Sequence, residues 1–322
     1  MERLERDLEF YGVSRRDFLK YCASFAVLFG LSELEFTRRL AHAVEKAERK
    51  PPVIWLEGQD CAGCTVSFAG LLYPPVGAII LDKLSLRYHE TLMASAGELA
   101  ESVYHETVKE GGYVLVVEGS IPSSDDRFCL VGGRPFREIV LEASKNATCI
   151  LAVGACASFG GIPKATVSKG MGVKDLVSGK PIINLPTCPV HPDHLVGTIL
   201  YILTTGKLPE LDDFNRPKMY YSQSIHDNCR RRGHFEAGNF LQDWNDPAQK
   251  DYCLFEKGCK GPMTYADCPI RRWNSGTNFC IDCGAPCVGC AEPGFYDEMS
   301  PIYTAESEAS RKILALKKSG LI

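Results

Sequence analysis

Between residues 52 and 205, short apolar runs alternate with stretches of helical periodicity. The apolar runs predict buried strands at Val53–Leu56, Tyr113–Val117, Cys149–Val153 and Ile182–Leu185, with Ile79–Leu81 as a candidate fifth. The helical stretches are Glu90–Lys109, Phe136–Lys145 and His194–Leu203. Strands without polar alternation, separated by helices, are typical of a parallel sheet covered on both faces. The pattern therefore predicts an α/β fold with a doubly wound parallel sheet over residues 50–205.

Cysteines follow three of the four main predicted strands. Cys61 and Cys64 come after the first, Cys156 after the third and Cys188 after the fourth. Because ligands of open parallel sheets bind beyond the carboxyl ends of the strands, we expect these four thiols to converge. Four thiolates suit a tetrahedral zinc ion or an iron–sulfur cluster. Two disulfides are the alternative if the protein is exported.

The composition and the hydrophobic pattern of the chain change near residue 206. Strand patterns disappear, Gly, Pro, Asn and Asp become frequent, and the apolar runs are too short to form a core alone. We therefore expect an irregular domain over residues 206–322 that is stabilised by cofactors. Its candidate ligands are one histidine and the eight cysteines that follow it: His226, Cys229, Cys253, Cys259, Cys268, Cys280, Cys283, Cys287 and Cys290. A series with repeated Cys-Pro and Cys-x-x-Cys steps is typical of iron–sulfur proteins.

His226 has two interpretations. A lone histidine is most often a capping or surface residue. Cys229 follows it by three positions, and this spacing favours a ligand instead. A neutral imidazole in place of an anionic thiolate would change the charge of a cluster and its coupling to protons.

The first 43 residues show the order of features of a twin-arginine export signal. Ser14–Lys20 reads SRRDFLK, an apolar run of eleven residues follows at Tyr21–Leu31, and Ala41–Ala43 offers small residues for cleavage. The apolar run has roughly half of the length that spans a bilayer, and an amphipathic N-terminal helix is the alternative. From Val44 onward no run approaches about eighteen consecutive apolar residues. We therefore expect export to the periplasm and no transmembrane anchor in this chain.

Composition narrows the function classes. Of the 322 residues, 45% are apolar and 24% charged, and 36 bases against 40 acids give a net charge of −4. These values exclude a disordered chain and give no basic excess for nucleic acid. Fifteen cysteines are too many for an ordinary enzyme and too few for a disulfide-stabilised miniprotein. No GxGxxG turn follows a strand and opens a helix, so we expect neither NAD nor flavin.

A set of ordered motifs extends over most of the chain. They are WLEGQDCAGCTVS (55–67), YHETLMA (88–94), VEGSIP (117–122), GACASFGG (154–161), LPTCPVHP (185–192), IHDNCRRRGHFEAG (225–238), CLFEKGCKGP (253–262) and PCVGCAEPGFYD (286–297). Together, over about residues 10–305, they resemble the small subunits of exported nickel–iron uptake hydrogenases, of the NiFe or NiFeSe type. The resemblance implies a flavodoxin-like domain followed by an irregular cluster-binding domain.

The same resemblance implies three clusters in a line and two partners. Cys61, Cys64, Cys156 and Cys188 match the ligands of a proximal 4Fe-4S cluster; His226, Cys229, Cys253 and Cys259 match those of a distal 4Fe-4S cluster; Cys268, Cys287 and Cys290 match those of a medial cluster. The nickel–iron centre belongs to a separate large subunit, so this chain alone is not catalytic. It relays electrons from H2 oxidation to an external acceptor, for which a periplasmic or membrane cytochrome is the expected partner.

Cys280 bears on the type of the medial cluster. Most members of the family have a proline seven residues before the CxxC pair, which leaves three cysteines and a 3Fe-4S cluster. In this chain Cys280 stands seven residues before Cys287. We therefore expect a fourth thiolate and a 4Fe-4S cluster. Cys283 is the rival fourth ligand, and a 3Fe-4S cluster with both cysteines inert is the further alternative.

Two other function classes remain open from the sequence. One is an iron–sulfur subunit of a different redox complex, which co-purification with a nickel-containing large subunit would distinguish. The other is a metal-free, disulfide-rich exported binding protein. That protein would be colourless, whereas an iron–sulfur protein is brown.

The export signal gives the first testable prediction. We expect cleavage after Ala43, so that the mature chain begins near Val44 and lacks Cys22. Intact-mass spectrometry of the native protein measures this directly. Recovery of peptides that precede Ala41 in the mature protein would contradict the prediction.

Overall fold

The structure, a computed structural model, describes residues 51–71, 77, 84–296 and 298–299. The predicted export signal and the candidate strand Ile79–Leu81 lie outside the described residues. The chain divides into two compact units, of which the first ends at Tyr221 and the second begins at Ser222.

A parallel five-stranded sheet forms the centre of the first unit. The strands of this unit are β1 (Pro52–Glu57), β2 (Ser85–His89), β3 (Val114–Glu118), β4 (Leu130–Val131), β5 (Arg134–Pro135), β6 (Cys149–Val153) and β7 (Ile182–Leu185). The order in the sheet is β2-β1-β3-β6-β7, and every neighbouring pair is parallel. Strands β4 and β5 form a separate antiparallel hairpin. The predicted α/β fold is therefore confirmed, with the strand order of flavodoxin-like sheets.

Helices lie between these strands and after the last of them. They are α1 (Gly63–Ala69), α2 (Glu98–Glu110), α3 (Phe136–Ser144), α4 (Gly154–Phe159), α5 (Gly161–Lys164), α6 (Val173–Leu176), α7 (Pro192–Thr205) and α8 (Lys218–Tyr221), with a 3₁₀ turn at Asp126–Phe128. Helix α4 begins directly after β6, and α1 and α7 begin six and seven residues after β1 and β7. The predicted cysteines lie in these connections or in the first turn of the helix that follows.

Both faces of the sheet are apolar, since successive side chains of a strand point to opposite sides. Leu115 of β3 lies in a buried cluster with Phe136 of α3 on one face. The next residue, Val116, lies in a second buried cluster with Leu195 of α7. Burial on both sides explains why the strands read as continuous apolar runs.

The elements agree with most of the sequence prediction. Strands β6 and β7 coincide with the predicted runs, and β1 and β3 overlap theirs. The predicted helix over Glu90–Lys109 is wrong in its first part, because α2 begins at Glu98. The amides of Thr91 and Leu92 instead donate to Nδ1 of His89, at 3.1 and 3.3 Å, which turns the chain after β2.

Strand β2 was not predicted. It is an edge strand, paired with β1 alone among the described strands, and it carries the exposed Arg87 between Leu86 and the buried Tyr88. An alternating sequence of five residues gives a weaker signal than the continuous runs of the central strands.

The segment after α7 still belongs to the first unit. Asn184 of β7 donates its backbone amide to the carbonyl of Asn215 at 2.8 Å and its side-chain amide to the carbonyl of Phe214 at 2.9 Å. Residues 214–215 therefore cover one edge of the sheet beside β7.

The second unit has little regular structure, as predicted. Its helical pieces are α9 (Arg232–Glu236) and α10 (Cys268–Arg271), with 3₁₀ turns at His226–Asn228, Pro247–Gln249, Phe255–Lys257 and Gly261–Met263. One small apolar cluster in this unit contains Phe235, Cys253 and Phe255, with Phe240 packed against it. Backbone hydrogen bonds of turns, rather than a sheet, hold the remaining described segments.

Candidate metal centres

The four cysteines of the predicted proximal site come together at the carboxyl edge of the sheet. Cys61 and Cys64 follow β1, Cys156 lies in α4 directly after β6, and Cys188 follows β7. Cys64 is buried, Cys156 is partly buried, and Cys61 and Cys188 are exposed. The convergence expected from the strand ends is therefore present in the structure.

Electrostatic coupling also shows that these four thiols are neighbours. Burial raises the pKa of Cys64 well above its usual value, and the charges of Cys156 and Cys188 contribute to the rise. Burial also raises the pKa of Cys156 to about 12, with contributions from Cys188 and Cys61. Thiols that repel one another when ionised need a cationic group among them to bind as thiolates.

Glycines leave space around the sulfurs. A Cβ at Gly154, where φ is +80°, would lie 2.5 Å from Sγ of Cys64. A Cβ at Gly161, where φ is +53°, would lie 2.8 Å from Sγ of Cys156. Both positions combine a left-handed backbone with a close approach to sulfur, so that only glycine fits without strain.

Glu118, which sequence analysis missed, hydrogen-bonds to the backbone of Cys64. This carboxylate at the end of β3 is 1% exposed and accepts the amide of Cys64 at 2.9 Å. It also accepts the amide and the hydroxyl of Thr65 and the indole N–H of Trp55, the last at 3.1 Å. A glutamate that ends the apolar run YVLVVE was the signal available in the sequence.

Further carboxyl groups surround Glu118. Carboxylate oxygens of Glu57, Asp60 and Glu118 lie within 4.8 Å of one another. Burial, followed by the charge of Glu118, raises the pKa of Asp60 to about 6. Burial raises the pKa of Glu90 to about 7 and lowers that of His89 to about 4. Carboxyl groups near this edge can therefore hold protons close to neutral pH.

The spacing of the sulfurs discriminates between metals. Among the described residues, no set of three or more cysteines has all its sulfurs within 4.8 Å of one another. A single tetrahedral zinc ion with Zn–S distances of about 2.3 Å needs sulfurs roughly 3.8 Å apart. The described cysteine sets are thus too wide for one zinc ion bound by three or four of their sulfurs. All fourteen described cysteines are free thiols, so no disulfide among them supports the metal-free alternative.

The four predicted distal ligands line one cavity in the second unit. His226, Cys229, Cys253 and Cys259 surround a space of about 300 Å³, partly open to solvent, together with apolar side chains such as Leu254 and Ile281. Burial raises the pKa of Cys253 to about 12, and the charges of Cys259 and Cys229 add to it.

His226 is buried at this cavity. Its side chain is 5% exposed, and its ring meets the ring of Phe235 edge-on with 4.5 Å between centroids. His226 is therefore not a surface residue, which is the position that a lone histidine usually takes. Arg231 lies beside it in the cavity wall and donates to the carbonyl of Tyr252 at 2.6 Å.

The predicted medial cysteines also couple to one another. Burial raises the pKa of Cys268, and the charges of Cys287 and Cys280 raise it further. Burial raises the pKa of Cys287, with a contribution from Cys290. Cys280 thus lies within electrostatic reach of this set. Burial, and after it the charge of Cys283, raises the pKa of Cys280. By residue exposure, Cys280 and Cys283 are both exposed.

Two contacts join the distal and medial ligand segments. The amide of Cys287 donates to Sγ of Cys259 at 3.4 Å, and the amide of Lys260 donates to the carbonyl of Cys287 at 2.7 Å.

Asp282, between Cys280 and Cys283, pairs with Nε of Arg230 at 2.9 Å and with Nε of Arg272 at 3.4 Å. The segment that carries Cys280 is therefore attached to the residue that follows Cys229.

Comparison with known proteins matches both units. A family model for the C-terminal region of NiFe/NiFeSe hydrogenase small subunits matches residues 221–303, and one described as NADH ubiquinone oxidoreductase, 20 Kd subunit, matches residues 61–202. The chain is similar to the uptake hydrogenase small subunit of Azotobacter vinelandii, with 45% identity over 295 residues, 90% of this chain and 82% of the relative. It is 41% identical over 304 residues to the periplasmic NiFe hydrogenase small subunit of Solidesulfovibrio fructosivorans, which covers 93% of this chain and 95% of the relative.

Solved structures agree. A reduced, active form of the Ni-Fe-Se hydrogenase from Desulfomicrobium baculatum superimposes with a TM-score of 0.75 and 38% identity, over 80% of this chain and 100% of that one. The oxidized NiFeSe hydrogenase from Desulfovibrio vulgaris Hildenborough gives a TM-score of 0.73 and 35% identity, over 80% of this chain and 98% of that one. In the described part of the chain, no helix has the length and apolarity needed to cross a membrane.

Glu118→Gln tests the support of Cys64. The carboxylate accepts several N–H and O–H groups, and an amide would turn an NH2 donor toward them. We expect a loss of about 1–3 kcal/mol in the free energy of unfolding, as for a buried donor left without an acceptor. Urea unfolding of the assembled protein measures the change. Glu106→Gln, at an exposed position of α2, is the matched control and should change stability by less than about 0.5 kcal/mol. Equal stability of the two variants would contradict this role.

Proposed function

Since this chain belongs to the family of nickel–iron hydrogenase small subunits, we propose that it is the electron-transfer subunit of such an enzyme. A separate large subunit holds the site of H2 oxidation, and this chain connects that site with an external acceptor. The grouping of twelve ligand-type side chains into three sets carries the proposal: one set at the sheet edge and two in the second unit.

The ligand assignment follows these sets. Cys61, Cys64, Cys156 and Cys188 hold a proximal 4Fe-4S cluster; His226, Cys229, Cys253 and Cys259 a distal 4Fe-4S cluster; Cys268, Cys280, Cys287 and Cys290 a medial 4Fe-4S cluster. Iron–sulfur clusters supply one-electron transfer when bound, at potentials that depend on charge, solvent exposure and hydrogen bonds to sulfur.

The protein around the ligands provides these controls. Amide donors to sulfur are in place at Cys64, from Val190 at 3.3 Å, and at Cys259, from Cys287 at 3.4 Å. Such donors spread the negative charge of a thiolate and favour the reduced state. Burial of Cys253 and Cys259 limits the contact of these two distal ligands with water, while His226 contributes a ligand without negative charge.

The fourth medial ligand is Cys280 in this proposal, with a 3Fe-4S cluster as the alternative. After burial, the charge of Cys280 is among the causes that raise the pKa of Cys268, which supports a position at the medial set. It also contributes to the raised pKa of Cys259 in the distal set. The only charge among the causes of the pKa shift of Cys280 itself is that of Cys283, which follows it by three positions. Cys283 stays the rival ligand.

The proximal edge fits the contact with the large subunit. Cys61 and Cys188 are exposed there. Val66, in the same helix as Cys64, is 66% exposed, and Ile162, in the helix after the one that contains Cys156, is 48% exposed. Exposed apolar side chains beside a redox site are typical of an interaction surface. The relative from Solidesulfovibrio fructosivorans is named as periplasmic, which supports a periplasmic location. Our proposal includes export by the twin-arginine route and a periplasmic or membrane cytochrome as the acceptor.

A different redox complex is the second candidate. The similarity of residues 61–202 to the 20 Kd subunit of NADH ubiquinone oxidoreductase favours it for the first unit. The second unit matches the hydrogenase-specific model, and whole-chain relatives are hydrogenase subunits. We therefore favour the hydrogenase.

Affinity purification of the tagged chain from its native host tests the proposal. We expect a nickel-containing large partner, a brown complex with about twelve iron atoms per small subunit, and reduction of a redox dye by H2. A colourless monomer without iron, or an iron–sulfur complex without nickel, would contradict it.

Cys280→Pro tests the medial assignment. Loss of one thiolate should convert a 4Fe-4S to a 3Fe-4S cluster, seen by electron paramagnetic resonance of the oxidised complex as a new signal of roughly one spin per molecule. Cys283→Ala is the matched control and should give no such signal. A strong 3Fe-4S signal in the unmodified protein would contradict Cys280 as the fourth ligand. So would a new 3Fe-4S signal in Cys283→Ala but not in Cys280→Pro.

A further inference from the structure

Thr187, directly before Cys188, has a backbone conformation that threonine rarely adopts. Its φ is +106°, in the region that favours glycine, and the residue is fully buried. A positive φ in a β-branched residue is an outlier, because the side chain crowds the backbone. Such strain persists only where the surrounding contacts over-determine it, and it is frequent at functional sites. The contacts of Thr187 therefore bear on the role of this residue.

The hydroxyl of Thr187 closes the loop that contains Cys188. Oγ1 donates to the carbonyl of Pro189 at 2.7 Å and accepts the amide of His191 at 3.1 Å. Both partners follow Cys188, so the side chain reaches across the ligand position to the residues beyond it. A glycine would adopt the same φ at no steric cost, but it has no hydroxyl for these two hydrogen bonds. The hydrogen bonds are thus a physical reason for a threonine here.

The same segment also contacts two other predicted proximal ligands or their neighbours. The carbonyl of Thr187 accepts the amide of Ala155, which directly precedes Cys156, at 3.0 Å. Farther along the segment, the amide of Val190 donates to Sγ of Cys64 at 3.3 Å. Val190 lies between the two residues to which the threonine hydroxyl is bonded, so the orientation of its amide depends on these hydrogen bonds.

We propose that Thr187 is a positioning residue of the proximal cluster. Its hydroxyl holds Cys188 in the ligand position and directs the amide of Val190 to the sulfur of Cys64. That amide spreads the negative charge of the thiolate, so it favours the reduced cluster. The proposal rests on the proposed function, since it requires a cluster at this site.

Redox titration of the assembled two-subunit enzyme, followed by electron paramagnetic resonance, tests this role. Thr187→Val keeps the shape of the side chain but lacks the hydroxyl, Thr187→Gly lacks the hydroxyl and relieves the strain, and Thr187→Ser keeps the hydroxyl. At a fixed potential near the wild-type midpoint, we expect the valine and glycine variants to lower the reduced fraction of the proximal cluster severalfold. The serine variant should behave like the wild type.

Thr107→Val is the matched control. Thr107 is buried in α2, and its hydroxyl donates to the carbonyl of Val103 at 2.7 Å, so the variant also loses a buried hydroxyl, but one in a helix without predicted ligands. We expect this variant to keep the proximal midpoint of the wild type. An equal shift in Thr107→Val would overturn the role of Thr187, because any lost hydroxyl would then have the same effect.

Iron and labile sulfide contents, with the signals of the other two clusters, separate the remaining outcomes. Full clusters and an unchanged proximal midpoint in the valine and glycine variants would overturn the role of Thr187 and leave the proposed function intact. Loss of the proximal cluster in both variants, with all clusters retained in Thr187→Ser, would support the role. The same loss or shift in Thr187→Ser would overturn it. Absence of clusters from the wild-type complex would instead overturn the proposed function.

Discussion

The structure depends on the cost of burying thiols that must be ionised to bind iron. Burial raises the pKa of Cys64, Cys259, Cys268 and Cys287, and neighbouring thiols raise it further. Ionisation of several buried, neighbouring thiols is unfavourable without a cation among them. A cationic cofactor makes the thiolate forms the favoured ones. The buried carboxylate, the glycines beside sulfur and the amide donors all lie next to thiols whose ionisation this cost opposes.

The two units respond to this constraint differently. The first has an apolar core on each face of its sheet, and of the four thiols at its edge only Cys64 belongs to these two clusters. The second has a small aromatic cluster around Phe235 and Phe255 and an extensive set of turn hydrogen bonds. In such a unit, binding energy from the cofactor becomes folding energy, which gives a physical reason for the density of cysteines between residues 229 and 290.

The sequence predicted correctly those elements that a short stretch of residues determines. Continuous apolar runs located β6 and β7, and the strand-end rule led from them to Cys156 and Cys188. Strand β2 was missed because its alternation is short and it lies at the edge. Glu118 was missed for another reason: a charged residue is normally exposed, and only the tertiary structure shows that this one is buried. The ligand role of Cys280 depends on contacts that spacing alone does not decide.

The location of the ligands along the chain has a consequence for the order of folding. The proximal set draws on residues 61 to 188 and on the connections of three strands, so it is complete only when nearly the whole sheet has formed. The distal and medial sets draw on residues 226 to 290, about half as much chain, and close shorter loops. Contacts of high sequence separation form slowly, because chain entropy must be lost before they are made. We therefore expect the sheet-edge site to form later than the other two, although its residues are the first to leave the ribosome.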